Sequence, residues 1–167
     1  MSDQNPYAKF LDGRPLDAIL RETPSAVASL LQAIGADCAG KPPAPGKWCA
    51  AEIVAHLADC EIAFGFRLRQ TLAEDNHTIQ PFDQDKWAAT YAGVDAGQAL
   101  AAFTAVRNWN LRLIAQALPT QANRPAVHPE RGPMTFQTIV ETMAGHDLNH
   151  LGQLARIASA TEAGQKG

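Results

Sequence analysis

Two histidines, His146 and His150, stand four residues apart near the end of the chain. Apolar residues recur around them at steps of three and four, so both fall on the helix face that should meet a core. Imidazoles four residues apart can aim at one point, which favours a shared metal ion. The alternative is a pair of half-buried histidines, each bonded to a neighbour. The full stripe is Ile139, Met143, His146, His150, Leu154 and Ile157.

A third histidine, His56, falls on the inward stripe of an earlier predicted helix. Inward positions of different helices meet across the core of a bundle, so His56 can approach His146 and His150. Three histidines with an open further position form the ligand set of a catalytic zinc site, and nickel and iron also accept it. Water or substrate would fill the open position. His77 and His128 fall in predicted loops and are not assigned to the metal.

The segment from His146 to His150 does not match the zincin motif, which places Glu directly after the first histidine. Asp147 occupies that position here. It is shorter than glutamate and lies off the ligand face, so we expect it to point to solvent or to a neighbouring helix. Asp59 and Glu52 are the acidic residues near the predicted site, and neither is a compelling general base.

Three further residues are candidates for the surroundings of the metal. Cys60, one turn after His56, could be a fourth ligand or a thiol that senses substrate, although a small buried core residue is favoured. Gln153 could hydrogen-bond a ligand water, and a surface glutamine is an equal alternative. Arg67 could hold an anionic group of the substrate at the cavity mouth, with a surface ion pair as the slightly favoured alternative.

Asn110 is a polar residue on an otherwise apolar predicted stripe that includes Phe103 and Leu113. It could line the cavity, but a buried amide with satisfied hydrogen bonds is the favoured interpretation.

The composition is that of one folded domain. The chain has 167 residues, 46% hydrophobic and 19% charged, with a net charge of -3, which excludes a disordered chain. No basic stripe stands out, so nucleic acid is not an expected partner. No signal region or bilayer-length apolar run is visible, which makes cytoplasmic the default and membrane association unexpected. The three cysteines lack paired spacing and are expected to be free thiols.

The helical pattern predicts an all-α four-helix bundle with a long connection between the second and third helices. A short helix is expected to begin at Pro15, followed by a new helix with Thr23 as N-cap and Pro24 as its first residue. The alternative is a single helix kinked at Pro24. The connection 74–97 holds a short turn at 84–87, and no strand is expected. Residues 1–167 form a single domain with a core of about 16–160. The later helices are expected at about 50–72, at 98–118 ended by Pro119, and at 136–160 with Thr135 as N-cap.

Two separated motifs resemble the DinB-like superfamily. The first runs from Trp48 through Glu52-Ile53-Val54-Ala55-His56-Leu57-Ala58-Asp59-Cys60-Glu61 to Arg67 and Arg69. The second runs from Gly132-Pro133-Met134-Thr135-Phe136 to His146-Asp147-Leu148-Asn149-His150-Leu151-Gly152-Gln153. The segment Phe82-Asp83-Gln84-Asp85-Lys86-Trp87 also fits one branch of that superfamily.

The resemblance implies a four-helix bundle, often a homodimer, whose metal site maps onto His56, His146 and His150. Relatives include S-transferases that use small thiols and a thiol-dependent isomerase, while many others are described only as metal-dependent hydrolases. The resemblance therefore implies a zinc or nickel enzyme, or an iron one, acting on a small molecule or with a thiol cofactor. Two alternatives stay open: a non-catalytic, stress-related carrier of metal or ligand, and a purely structural dimerisation module.

Overall fold

The computed structural model of the chain describes residues 4–165. Four long helices dominate it, which confirms the predicted helical bundle. The first helix packs against the third and fourth long helices, and the second packs against the same two, so the four form a closed ring. The long helices are α1 (Leu16–Ile34), α3 (Ala50–Ala73), α5 (Ala96–Gln121) and α6 (Phe136–Gln165); the short ones are a 3-10 turn (Ala8–Phe10), α2 (Ala36–Ala39) and α4 (Gln84–Ala88).

Helix α1 runs without interruption through Pro24, so the predicted new start at Thr23 is wrong and the single-helix alternative is right. The Thr23 hydroxyl donates to the carbonyl of Ile19 at 2.8 Å instead of capping a helix. Proline has no N–H for the carbonyl four residues before it, here that of Leu20. The guanidinium of Arg107 donates to this carbonyl at 2.9 Å, which replaces the missing helical hydrogen bond.

The ends of the helices follow local capping chemistry. Thr135 is the predicted N-cap of α6, and its hydroxyl accepts the N–H of Thr138 at 3.2 Å. At the start of α3, the Glu52 carboxylate accepts the N–H of Cys49 at 2.8 Å in a capping box. Pro119 does not end α5, which continues to Gln121. Helix α6 likewise extends beyond the predicted end at residue 160.

A small three-stranded sheet joins the two long connections, so the expectation of no strand is wrong. The strand β1 (His77–Thr78) runs parallel to β2 (Pro125–His128), which pairs antiparallel with β3 (Gly132–Thr135). Segments of two to four residues are too short to show an alternating pattern, and their prolines and Gly132 suggest loops. The sheet holds the turn after β2 close to α3.

The core consists of two apolar clusters stacked along the bundle. One centres on Phe136 and Met143 near the sheet, and the other on Leu57 and Phe103 towards the opposite end. Most of the buried polar groups lie at the level where the two clusters meet. This central group comprises Thr23, His56, Glu61, Arg107, Asn110, His146, Asp147 and His150, while Thr71, His77, His128 and Thr142 are also buried. Within the described residues, no helix is both long enough and apolar enough to cross a membrane.

Candidate metal centre

Three buried histidines converge between α3 and α6. The Nε2 atom of His146 lies 3.0 Å from Nε2 of His56 and 3.1 Å from Nε2 of His150. The ring centroid of His56 lies 5.1 Å and 4.8 Å from those of His146 and His150. The structure therefore brings together the three histidines that the sequence singles out, from two separate helices.

The spacing of these nitrogens suits a shared cation. Two nitrogens bonded to one ion at about 2.1 Å lie roughly 3.0 Å apart at a right angle and roughly 3.4 Å apart at the tetrahedral angle. Hydrogen bonding alone fits less well, because one N–H directed at one partner cannot satisfy both contacts of His146. All three donors are imidazole nitrogens, which zinc, nickel and iron accept. The residues therefore fit a divalent metal ion.

Gln153 fixes which nitrogen of His150 is free. Its Oε1 lies 3.0 Å from Nδ1 of His150, and an amide oxygen can only accept, so Nδ1 carries the proton. The lone pair of His150 is then on Nε2, the atom that faces the other two rings. Gln153 is therefore not a free surface residue, because its side chain binds His150. Residues that hydrogen-bond the far nitrogen of a metal-binding histidine typically orient its ring in this way.

Burial keeps the three rings neutral. It lowers the pKa of His56 to about 3, with the neighbouring charge of His150 adding to the effect. Burial also lowers the pKa of His146 well below its ordinary value, and that of His150 to a smaller extent. Neutral imidazoles keep the lone pairs that a metal ion requires.

Aromatic side chains surround the rings. Trp48 lies against His56 with a centroid distance of 4.9 Å, and Tyr7 meets His146 edge-on at 5.1 Å. Phe64 approaches His146 at 5.9 Å. Sequence reasoning missed Tyr7, because the segment before α1 has no periodic pattern. The one feature of the sequence that reflects this contact is the glycine at position 145 of α6. An added Cβ there would lie 2.5 Å from the Tyr7 carbonyl oxygen.

A cavity of about 240 Å³ opens beside the cluster and includes His146, Cys60 and Tyr7 in its wall. A larger cavity of about 560 Å³ lies on the side of Trp48 and Gln153, but none of the three histidines lines it. We regard the smaller cavity as the substrate space, because it reaches His146.

Cys60 is a buried free thiol at the edge of the cluster, and Cys38 and Cys49 are also free as predicted. The Cys60 Sγ lies 3.4 Å from Nε2 of His56 and lines the smaller cavity. Burial raises the pKa of the Cys60 thiol to about 12, so in the protein without an ion it is neutral.

The acidic candidates are occupied elsewhere. The Asp59 carboxylate accepts the hydroxyl of Tyr91 at 2.8 Å and does not line the smaller cavity. Burial, followed by this hydrogen bond, raises the pKa of Tyr91. Glu52 is used by the capping box of α3. Neither carboxylate is therefore placed as a free base beside the histidines.

Asn110 is the buried, satisfied amide that the sequence favours, and it does not line the cavity. Its Nδ2 donates to the Glu61 carboxylate at 2.8 Å, and its Oδ1 accepts from Arg69 at 2.7 Å. Arg67 does line the cavity. Instead of the surface ion pair, it donates to the carbonyl of Gln80 at 3.2 Å.

A buried charge network lies next to the histidines. Arg107 donates to the carboxylates of Asp147 at 2.6 Å and Glu61 at 2.7 Å, so Asp147 faces the neighbouring helix and not solvent. Burial disfavours the charge of Arg107, but the two carboxylates outweigh it and raise its pKa. Sequence reasoning missed Arg107, although it follows Phe103 by four residues and precedes Asn110 by three, which is helical spacing.

Comparison with known proteins agrees with the fold. The structure of YfiT from Bacillus subtilis, described as a probable metal-dependent hydrolase with an unusual four-helix bundle topology, matches with a TM-score of 0.75 and 21% identity over 84% of both chains. In sequence, YfiT is 20% identical over 143 residues, 84% of this chain and 80% of YfiT.

Two further curated relatives come from Oceanobacillus iheyensis and Geobacillus thermodenitrificans. The first is 26% identical over 113 residues, 67% of this chain and 66% of the relative. The second is 33% identical over 73 residues, which cover 44% of this chain and 41% of the relative. The matches thus span less than two thirds of the length of these two proteins. Both, like YfiT, are named "putative metal-dependent hydrolase". Residues 19–154 match the family model of the DinB superfamily, and the chain therefore belongs to that family.

Proposed function

We propose that His56, His146 and His150 bind one divalent metal ion and that the protein is a metal-dependent enzyme acting on a small molecule. The observation that carries this proposal is the convergence of three neutral Nε2 atoms, two of them 3.0 Å and 3.1 Å from the third. Zinc and nickel are the proposed ions, with iron as the third candidate.

The surrounding residues orient the histidine rings and shield them from water. Gln153 holds His150 in the tautomer that leaves Nε2 free. Trp48 and Tyr7 pack against the ligand rings and restrict water to the side of the cavity. A bound divalent ion would supply Lewis acidity, which lowers the pKa of a water molecule or thiol beside it. That effect removes the need for a separate carboxylate base, which suits a site where Asp59 and Glu52 are occupied.

Two reaction classes suit this arrangement. One is hydrolysis of a small substrate, which the names of the curated relatives favour. The other is transfer of a low-molecular-weight thiol to an electrophile, because a bound divalent ion can activate a thiol as it activates water. We place hydrolysis first.

A non-catalytic carrier of metal or ligand is the second candidate. The observation in its favour is the commitment of both nearby carboxylates to structural contacts. A carrier is expected to enclose its ion, whereas the cavity here reaches His146. This opening supports the enzyme over the carrier.

Metal analysis of protein purified without a histidine tag tests the binding step. We expect close to one divalent ion per chain after growth with zinc, nickel and iron, and loss of that ion in His146→Ala. The matched control is His77→Ala, a histidine of β1 outside the cluster, which should keep the ion. Absence of any divalent ion from the wild type, with helical content intact, would overturn the proposal.

Turnover assays separate enzyme from carrier. The metal-loaded and chelator-stripped proteins are compared on a chromogenic ester, and on an aryl halide with cysteine as the thiol. Metal-dependent product formation that His146→Ala abolishes supports the enzyme. A wild type that holds its ion but turns over neither pair supports the carrier.

A further inference from the structure

Two arginines share the small cavity beside His146. Arg67 comes from α3 and Arg131 from the turn between β2 and β3, and both line the cavity of about 240 Å³. Both side chains are half-buried. The helices and the small sheet thus bring two cations from distant parts of the sequence to one wall of the proposed substrate space.

Arg67 is held in place by contacts that leave part of its guanidinium free. The group lies 5.8 Å from the ring centroid of Phe64 and 5.5 Å from that of Phe82, within reach of both rings. One nitrogen donates to the carbonyl of Gln80 at 3.2 Å. A guanidinium has five N–H donors, so most of them remain available to a ligand.

The charge of the two arginines is not balanced by close contacts. Among the residues that the structure describes, Glu130 is the one carboxylate in the cavity wall, and it is exposed. Within residues 4–165, neither Arg67 nor Arg131 forms an ion pair. Burial lowers the pKa of Arg67; the neighbouring Cys60 acts against this, and the nearby charge of Arg131 acts with it. Two cations in a partly buried space repel each other, and an anion between them would relieve that repulsion.

His128 adds a neutral donor to the same wall. Its Nδ1 accepts the N–H of Glu130 at 3.2 Å, so the neutral ring carries its proton on Nε2. Burial lowers the pKa of His128, and the charges of Arg131 and Arg67 lower it further, which keeps the ring neutral.

We propose that Arg67 and Arg131 form an oxyanion subsite and that the substrate is a small molecule carrying a carboxylate. A guanidinium matches a carboxylate with two parallel hydrogen bonds. The rings of Phe64 and Phe82 offer an apolar wall for the body of the molecule. The cavity is smaller than the roughly 300–1,000 Å³ of sites for drug-sized ligands, which limits the substrate to a small molecule. The position of its reactive end at His146 rests on the proposed function above.

Titration calorimetry with benzoate, and with benzamide as its uncharged match, tests the subsite. The proteins are the wild type, Arg67→Gln, Arg131→Gln and the control Arg156→Gln, whose arginine lines the larger cavity. We expect saturable benzoate binding at millimolar concentration, weakened about tenfold or more in the first two variants, because each loses a charged hydrogen-bond donor. Arg156→Gln should bind as the wild type does, and benzamide should bind weakly to all four. Arg67→Lys, which keeps the charge, should recover part of the affinity and guards against misfolding of the glutamine variant.

Zinc content and circular dichroism of each sample, and a repeat titration after chelator treatment, separate this proposal from the metal proposal. If zinc does not bind but the binding of benzoate still depends on both arginines, the proposed metal function fails and the subsite stands. If zinc binds to all the proteins and benzoate binds equally to Arg67→Gln, Arg131→Gln and Arg156→Gln, the subsite is overturned. Equal binding of benzamide, or no saturable benzoate binding by the wild type, also overturns it.

Discussion

Gln153 illustrates how a single side chain decides what a histidine can do. An imidazole with its proton on Nε2 would point an N–H at the centre of the cluster, where an ion requires a lone pair. The amide oxygen of Gln153 accepts a hydrogen bond from Nδ1–H, with an N···O distance of 3.0 Å, and removes that possibility for His150. The affinity of the proposed metal site is therefore expected to depend on a residue that does not touch the ion.

Replacing Gln153 with alanine should weaken zinc binding about 10- to 100-fold, the usual cost of losing a partner that orients a ligand. Competition with a chromogenic chelator measures the affinity. Gln153→Glu, which keeps an acceptor oxygen at the same position, should recover most of it. The matched control is Gln137→Ala, an exposed glutamine on the same helix that bonds Glu141. If Gln153→Ala and Gln137→Ala bind zinc equally, the tautomer argument is wrong.

The sequence was sufficient to find the three histidines, because a polar residue that repeatedly occupies inward positions of an apolar stripe is conspicuous. It was not sufficient for Arg107, because a charged residue is normally assigned to the exposed face of a helix. The predicted stripe of α5 therefore ran through Phe103 and Leu113 without including Arg107. Tyr7 could not be found either: its position depends on how the chain before α1 packs, and no periodicity reports such packing.

At the scale of elements, the segment before α1 packs onto the bundle beside the histidine cluster. The 3-10 turn Ala8–Phe10 packs on α6, and Tyr7 covers Gly145 and His146. This contact is possible because Gly145 has no side chain: an added Cβ would lie 2.5 Å from a backbone oxygen of Tyr7 and 2.8 Å from its Cβ. The fold class was predictable from four long periodic helices, whereas this cover and the short strands were not.

Gly145→Ala should therefore displace the segment around Tyr7 from α6. The expected result is faster cleavage by trypsin after the exposed Lys9, measured by mass spectrometry under native conditions. Gly152→Ala lies on the same helix, where the nearest atom to an added Cβ is the flexible end of Arg156 at 3.8 Å. That control should leave the cleavage rate unchanged and raise the free energy of unfolding by up to about 1 kcal/mol, because alanine favours helix over glycine. Equal cleavage of both variants would contradict the proposed cover.

At the scale of the whole molecule, one side chain connects all four long helices. Arg107 of α5 donates to the carbonyl of Leu20 in α1, to Glu61 in α3 and to Asp147 in α6. Asp147 directly follows His146, so the same turn of α6 contributes both to the metal cluster and to this network. The network therefore fixes the rotation of α6 that aims its histidines at His56.

Arg107→Met should lower the free energy of unfolding by about 3–5 kcal/mol, because it leaves two carboxylates buried without their cation. Urea denaturation followed by circular dichroism measures the change. The exposed Arg112→Met on the same helix should alter it by no more than about 0.5 kcal/mol. Adding Glu61→Gln and Asp147→Asn to Arg107→Met should restore part of the loss. A single Arg107→Met variant as stable as the wild type would show that the network contributes little.

The hydrogen bond from Arg107 to the Leu20 carbonyl couples the substitutions that positions 24 and 107 can accept during evolution. Pro24 deprives that carbonyl of its usual donor, so without the arginine the buried carbonyl would lose its hydrogen-bond partner. The dependence runs in one direction, since Glu61 and Asp147 require the arginine whichever residue occupies position 24. Loss of the arginine is therefore expected to cost more stability in a chain with proline at position 24 than in one whose residue 24 supplies its own N–H.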